Sequence, residues 1–191
     1  MTPGKTTLLA GVLGLAALIP AGPAVAATLM PAEQVLASFS GHDGAGPLYG
    51  VIAGPGGVLY GTTVFGGGHR DGCVFELVPA GSGYTEKILF SFGGADGSKP
   101  GGNVAADAHG DLVGETVIGG SHGQGVVYEL TPSGPGYAER VLHSPAASAG
   151  QPQAGLALAS DGTVYGTLYG ASAVHTDGSI FRVALSGARP G

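Results

Sequence analysis

The sequence has no tryptophan, a single cysteine and only 10% charged residues. Each scarcity excludes something. With Cys73 alone, no intrachain disulfide can form, so packing must hold the fold together. Aromatic residues amount to 7%, which thins the stacking platform that sugar-binding grooves commonly use. Seven Lys/Arg face thirteen Asp/Glu without any basic cluster, so a nucleic-acid partner is not expected. No heptad array, long charged block or sustained helical period occurs, which excludes a coiled coil or helical bundle. Glycine is abundant instead, at 39 of 191 residues, yet it lacks the three-residue period of collagen. An apolar content of 43% is enough for a folded core.

Residues 1–26 read as a secretory signal. Lys5 supplies positive charge, residues 8–19 form a short apolar run, and Ala24-Val25-Ala26 is an A-x-A cleavage site. The run falls short of the roughly 20 residues that span a bilayer, so no membrane span is expected in the mature chain. Cleavage after Ala26 removes Lys5 and leaves a formal charge of −7 over residues 27–191. No lipid-acceptor cysteine or hydrophobic tail follows, so the expected location is secreted or cell envelope.

Self-similarity is the strongest signal in the remaining chain. Val74-Phe75-Glu76-Leu77 recurs as Val127-Tyr128-Glu129-Leu130 and as Ile180-Phe181-Arg182-Val183, each 53 residues on. Leu59-Tyr60-Gly61-Thr62 matches Leu112-Val113-Gly114-Glu115 and Val164-Tyr165-Gly166-Thr167. Glu86-Lys87-Ile88-Leu89 matches Glu139-Arg140-Val141-Leu142 and, at the N-terminal end, Glu33-Gln34-Val35-Leu36. Each unit divides into four β-rich segments parted by Gly, Pro and Asp turns; in the first unit these cover residues 48–53, 58–64, 73–78 and 84–92. In the third segment Phe75 is expected to point inward and Glu76 outward. Cys73, with Val126 and Ser179 at its repeat positions, reads as a small buried strand residue.

The predicted fold is therefore all-β and β-propeller-like, with about three four-stranded antiparallel blades of about 53 residues. The expected domains are a signal peptide over 1–26 and one repeat domain over 27–191. Its units lie near 48–92, 101–144 and 153–185, with an isolated fourth strand at 33–39. Three blades are too few for closure, since propellers use about four to eight. Two solutions are open: a homodimer of six blades, each N-terminal strand completing the partner's last unit, or an incomplete, curved monomeric propeller with one strand frayed at each end.

The motifs Leu59-Tyr60-Gly61-Thr62-Thr63, Gly72-Cys73-Val74-Phe75-Glu76-Leu77-Val78-Pro79 and residues 88–103 resemble the GloVer repeat of exported bacterial proteins with varied anchoring tails. The resemblance covers residues 33–185. It implies a propeller-like fold and an extracellular or cell-envelope setting, and brings no catalytic residues with it. This chain is short and lacks such a tail, which favours release over anchoring.

A histidine recurs at one repeat position, as His69, His122 and His175, each in the loop before a third strand. With Asp71 and Asp177 beside them, and with Asp43 and Asp96 on loops expected at the same end, they are the candidate ligand-binding residues. Bonds of about 2 Å to one metal need convergence, whereas equivalent loops spread around an axis, so no metal or cofactor is expected. Gly119-Gly120-Ser121-His122-Gly123 matches a nucleophile elbow in letters only, because that elbow needs a strand-to-helix turn. No catalytic residue is therefore assigned. Glu86-Lys87 and Glu139-Arg140 read as charges that protect an outer strand from aggregation. Asp43, Asp96, Asp107 and Asp161 are the carboxylates from which a glycosidase pair would have to be drawn, at about 5–10 Å apart.

The expected function is a secreted, non-enzymatic repeat module whose loops bind a glycan, an envelope component or a protein. The alternatives are an extracellular glycan-active hydrolase or lyase, and a structural surface module or fragment of a longer repeat protein.

Overall fold

The structure, a computed structural model, describes residues 33–170 and 178–185. The chain forms two compact units, residues 1–34 and residues 35–191. Of the first, only Glu33 and Gln34 are described, and neither is in regular structure. The second is all-β and holds three antiparallel sheets.

The first sheet runs in the order β1 (Ile52–Ala53), β2 (Leu59–Thr63), β3 (Cys73–Ala80) and β4 (Gly83–Ser91). In the second, β5 (Ser98–Pro100) and β6 (Ala105–Ala106) both pair with β7 (Leu112–Ile118), followed by β8 (Val127–Ser133) and β9 (Gly136–His143). In the third, β10 (Gln151–Pro152) and β11 (Ala157–Leu158) pair with β12 (Thr163–Tyr169), which pairs with β13 (Ser179–Ala184). Sequential antiparallel order within each repeat is the connectivity of a propeller blade.

Two expectations are corrected. The first strand expected at 48–53 is confined to β1, Ile52–Ala53, and in the second and third units it is split into two short pieces, the first ending at Pro100 and Pro152, which lack the N–H to extend it. The first unit keeps only a bridge, Ala45 to Phe65, before β1. Between the two pieces the chain leaves its own sheet and touches a neighbour: Ala154 N–H donates to the Gly101 carbonyl at 3.1 Å. Residues 33–39, expected as an isolated fourth strand, carry no strand. A strand needs a neighbouring edge for its N–H and C=O groups, and among the described residues no ladder includes residues 35–39.

The repeated motifs have one geometric cause. Gly61, Gly114 and Gly166 lie directly across from Phe75, Tyr128 and Phe181 on the next strand. Each ring folds over the glycine opposite it. A Cβ at Gly61 or Gly166 would come to 2.5 Å from the ring, and one at Gly114 would strike the Tyr128 hydroxyl. A β-bulge at Val74/Phe75, repeated at Val127/Tyr128, twists the third strand where the ring turns in.

From the far side, Phe39 packs on Phe75 at 4.9 Å and 60°, and Phe92 packs on Tyr128 at 4.9 Å and 59°. The last aromatic of one repeat thereby reaches the third strand of the next. The core cluster follows this link, joining Val74, Leu89 and Phe92 of the first unit to Val104, Leu112, Val126, Tyr128 and Leu130 of the second. A second cluster joins Val113 and Val127 to Val164, Leu156, Leu158 and Phe181 of the third.

Gly114→Val is expected to cost about 3 kcal/mol of stability in chemical denaturation, because the added atoms displace the Tyr128 ring from a filled core. Gly83→Ala, with nothing within 4 Å of the new methyl, is the matched control and should stay within about 0.5 kcal/mol.

Candidate functional site

In the first two units, two loops knot together at one end of the sheet. In the first unit, Gly67 N–H donates to the Gly41 carbonyl at 3.1 Å, and Gly72 N–H to Gly66 at 3.0 Å. In the second, Gly120 N–H donates to Gly94 at 3.0 Å, and Gly125 N–H to Gly119 at 3.0 Å. The equivalent bonds are 53 residues apart, so the backbone of these loops is itself part of the repeat.

The histidines and aspartates take different roles on this frame. His69 and His122 are exposed. The His69 ring lies beside Gly93, at the start of the loop that carries Asp96. His122 Nδ1 is 3.1 Å from Ser121 Oγ, and among the described residues no carboxylate bonds its ring. Asp43 accepts from Ser40 N–H at 2.6 Å and Ser40 Oγ at 3.0 Å, and these bonds hold its carboxyl below the usual carboxylate range. Asp96 accepts from Gly93 N–H at 2.9 Å. Asp71 ties two units together, its Oδ1 accepting from Ser98 Oγ at 2.9 Å while its carbonyl accepts from Lys99 N–H at 2.8 Å. All three aspartates therefore brace loops with oxygens a ligand would otherwise use. His175 and Asp177 lie outside the described residues. Among the described residues no group of three or more His, Cys, Asp or Glu side chains could hold a metal ion.

Cys73 is buried, with Sγ 3.0 Å from Thr63 Oγ1, and burial pushes its thiol up to about 11. It is a packing residue, kept as the unreactive thiol.

Lys87 and Arg140 lie on the outermost strands of their sheets and pair across the ladder with Glu76 at 3.0 Å and Glu129 at 2.6 Å. Glu129 is buried and Glu76 half-buried, so the outward side of the third strand is covered by these pairs. Glu86 and Glu139 each carry a buried carboxyl oxygen without a hydrogen-bond partner. Burial raises both, with Asp43 as the next cause at Glu86 and Asp96 at Glu139, which reaches about 7.

Glu115 departs furthest from the repeat. Threonine stands at its equivalents, Thr62 and Thr167. Thr62 Oγ1 donates to the Gly102 carbonyl at 3.0 Å, and 53 residues on Glu115 Oε1 accepts from Gly155 N–H at 2.6 Å. The position is thus the polar tie between neighbouring units. Glu115 is 1% exposed, its Oε2 has no partner, and burial pushes its carboxyl up to about 7.

Repeat reasoning did not reach one further feature. A groove of about 520 Å³ opens among the loops of the first unit, lined by Ser40, His42, Phe65, Arg70 and the glycines between them. Phe65 is 49% exposed, and Lys99 Nζ lies 5.7 Å from its ring centroid. Positions 42, 65, 70 and 99 become Ala95, Ile118, Gly123 and Gln151 in the next unit, so the second unit does not rebuild the groove. Arg70 and Gly123 share one backbone conformation, at φ 68° and 71°. Glycine adopts it freely, whereas a side chain there costs about 1–2 kcal/mol. A cation held at that cost is the signal that could have revealed the groove.

The sequence model of the Gloeobacter/Verrucomicrobia repeat matches residues 23–189. No curated protein and no solved structure matches the chain.

Two outcomes follow from these placements. The unfolded Glu115 carboxyl releases its proton near 4.5, but the folded one only near 7, so folding takes up a proton between these values. The penalty is absent below both and full above both. Stability should therefore fall as pH rises across that window, by ~2 kcal/mol, and Glu115→Gln should flatten the trend in denaturation at pH 5 and pH 8. The exposed histidines behave differently: His69→Ala with His122→Ala should leave the unfolding midpoint within about 0.5 kcal/mol of the parent.

Proposed function

The chain belongs to the Gloeobacter/Verrucomicrobia repeat family, and from that premise we propose that it is an exported, non-catalytic repeat module whose loops bind an acidic glycan. Export rests on the charged start, short apolar run and A-x-A site of residues 1–26. The observation that carries the binding reading is the groove beside Phe65. Its volume falls within the roughly 300–1,000 Å³ of small-ligand sites.

The chemistry of its lining selects the ligand class. The half-exposed Phe65 ring gives a sugar ring an apolar wall. Arg70, exposed and without an ion pair among the described residues, presents planar N–H donors that match a carboxylate in pairs. Lys99 adds a second cation at the Phe65 face. In a chain with a net charge of −6, one cation lines this groove and a second lies against its Phe65 wall, which favours an anionic ligand locally over the repulsion of the whole. Arg70 and Lys99 both hold positive φ, at 68° and 57°, and such strain concentrates at functional positions.

Titration calorimetry with oligogalacturonate, and with a neutral glucan as control, tests the reading. Saturable binding of the acidic probe is expected, weakened about tenfold by Arg70→Gly and by Phe65→Ala. Arg70→Gly copies the second unit, so it should keep or raise stability by up to ~1 kcal/mol while it weakens binding. Equal affinity for both probes, or none for either, would overturn the acidic-glycan reading. Release of shortened sugar products would favour a glycan-active hydrolase or lyase instead.

A further inference from the structure

The interface between repeats is built twice in this chain by the same positions, and each position has an unused copy at an end. In the second unit, Val104 is 2% exposed against the first unit, whereas its equivalent Val51 at the near end is 48% exposed. On the face that receives the next unit, Val74 and Val127 are fully buried, whereas their equivalent Ile180 is 81% exposed. Thr62 and Glu115 are buried under the following repeat, and Thr167 at the same position is exposed. Around Ile180, Tyr165 and Thr167 lies a hollow of about 420 Å³ that also touches Asn103 and Leu156.

The strand edges show the same complementarity. β3 carries β4 on its outer side and β8 carries β9, whereas β13 among the described residues pairs with β12 alone. Residues 35–39 align at the 53-residue step with residues 88–92, which close β4. Phe39 already occupies the Phe92 role, with the same 4.9 Å ring contact to the following third strand. The residues just before it form no strand, and Val35 is 69% exposed. The near end thus offers a strand and a covering face, and the far end offers an open edge and the face to be covered.

We propose that two copies of this chain close head to tail into a ring of six repeats, residues 35–38 of each copy adding as the outer strand to β13 of the other. A second copy fits because the exposed positions on one side are repeat counterparts of those that, within the chain, cover the counterparts of the exposed positions on the other. A head-to-tail contact closes only if its rotation completes a ring, and six blades lie within the range of about four to eight that do so. Strand addition also satisfies the backbone groups of an open edge, a common route to specific association. The register follows from the first unit, where Val74 opposes Phe90 and Cys73 opposes Ser91. Ile180 should therefore oppose the partner's Ala37, and Ser179 the partner's Ser38. This inference does not depend on the groove or its ligand.

Light scattering of the whole chain, recovered in soluble form, should give twice the monomer mass at micromolar concentration; a monomer there overturns the proposal. A Ser38→Cys/Ser179→Cys variant tests the register, because directly opposed residues sit about 4.5–5.5 Å apart at Cα, within disulfide reach. Oxidation should give a covalent dimer that reduction reverses, while either single variant runs as a monomer on a denaturing gel. A ladder of larger species, or a link confined to one chain, overturns the two-copy ring. Ile180→Asp changes an exposed residue, so it should leave the sheets folded by circular dichroism and raise the dimer dissociation constant at least tenfold. An unchanged constant in a folded I180D protein counts against the interface.

Discussion

An aromatic ring folded over a glycine on the neighbouring strand organises each sheet of this protein. The pair recurs as Phe75 over Gly61, Tyr128 over Gly114 and Phe181 over Gly166. Glycine alone weakens a strand, but a ring laid across it restores the lost side-chain packing. Phe75 and Tyr128 then also meet the last aromatic of the preceding repeat, so one residue fixes both the sheet and its junction. Such rings bury on the order of 150–250 Å² each, which makes them the largest contributors in a chain without disulfides or tryptophan. Stability in such an array is a sum of repeats and of junctions between neighbours, and the aromatic belongs to both terms.

The junctions also carry a polar tie whose chemistry varies at fixed geometry. Thr62 donates to a carbonyl of the next unit, while Glu115 accepts from an N–H there. Threonine can do this at little cost because its hydroxyl is neutral. Glutamate brings a second oxygen that finds no partner and a charge that burial disfavours. At this tie the junction between the second and third units holds a titratable group where the junction before it holds a hydroxyl.

Much of this was legible in the sequence, and the illegible parts share a cause. The 53-residue step located the second and third strands and most turns, because strands alternate in polarity and turns concentrate Gly, Pro and Asp. Burial of Cys73 followed from the small apolar residue at its counterpart, Val126. The split first strand was missed because its second piece is only two residues long, too short for alternation to register. Glu76 was expected to point outward, and its cover by the cross-strand partner Lys87 was not legible, since it depends on the register between the strands. The placement of Asp43 and Asp96 on loops was readable, but their use as loop braces was not, because it depends on which N–H groups the turn directs at them. His42, Phe65 and Arg70 were overlooked for the opposite reason: a search for recurrence rewards what repeats, and these residues do not.

A repeat protein supplies its own control experiment, and departures from the repeat can therefore be read as physical differences at constant backbone. Three departures here mean three different things. At Arg70 against Gly123, the backbone conformation is the same and only the side chain changes, so the cost of positive φ is accepted where a cation faces a groove. At Glu115 against Thr62, the environment is equally buried and the change lies in charge. At Ile180 against Val127, the residue types are equivalent and the change lies in cover, so it reports the surroundings rather than the sequence. The first and last cases differ in kind: at Ile180 an equivalent side chain has lost its cover, whereas at Arg70 a different side chain is carried on the same backbone.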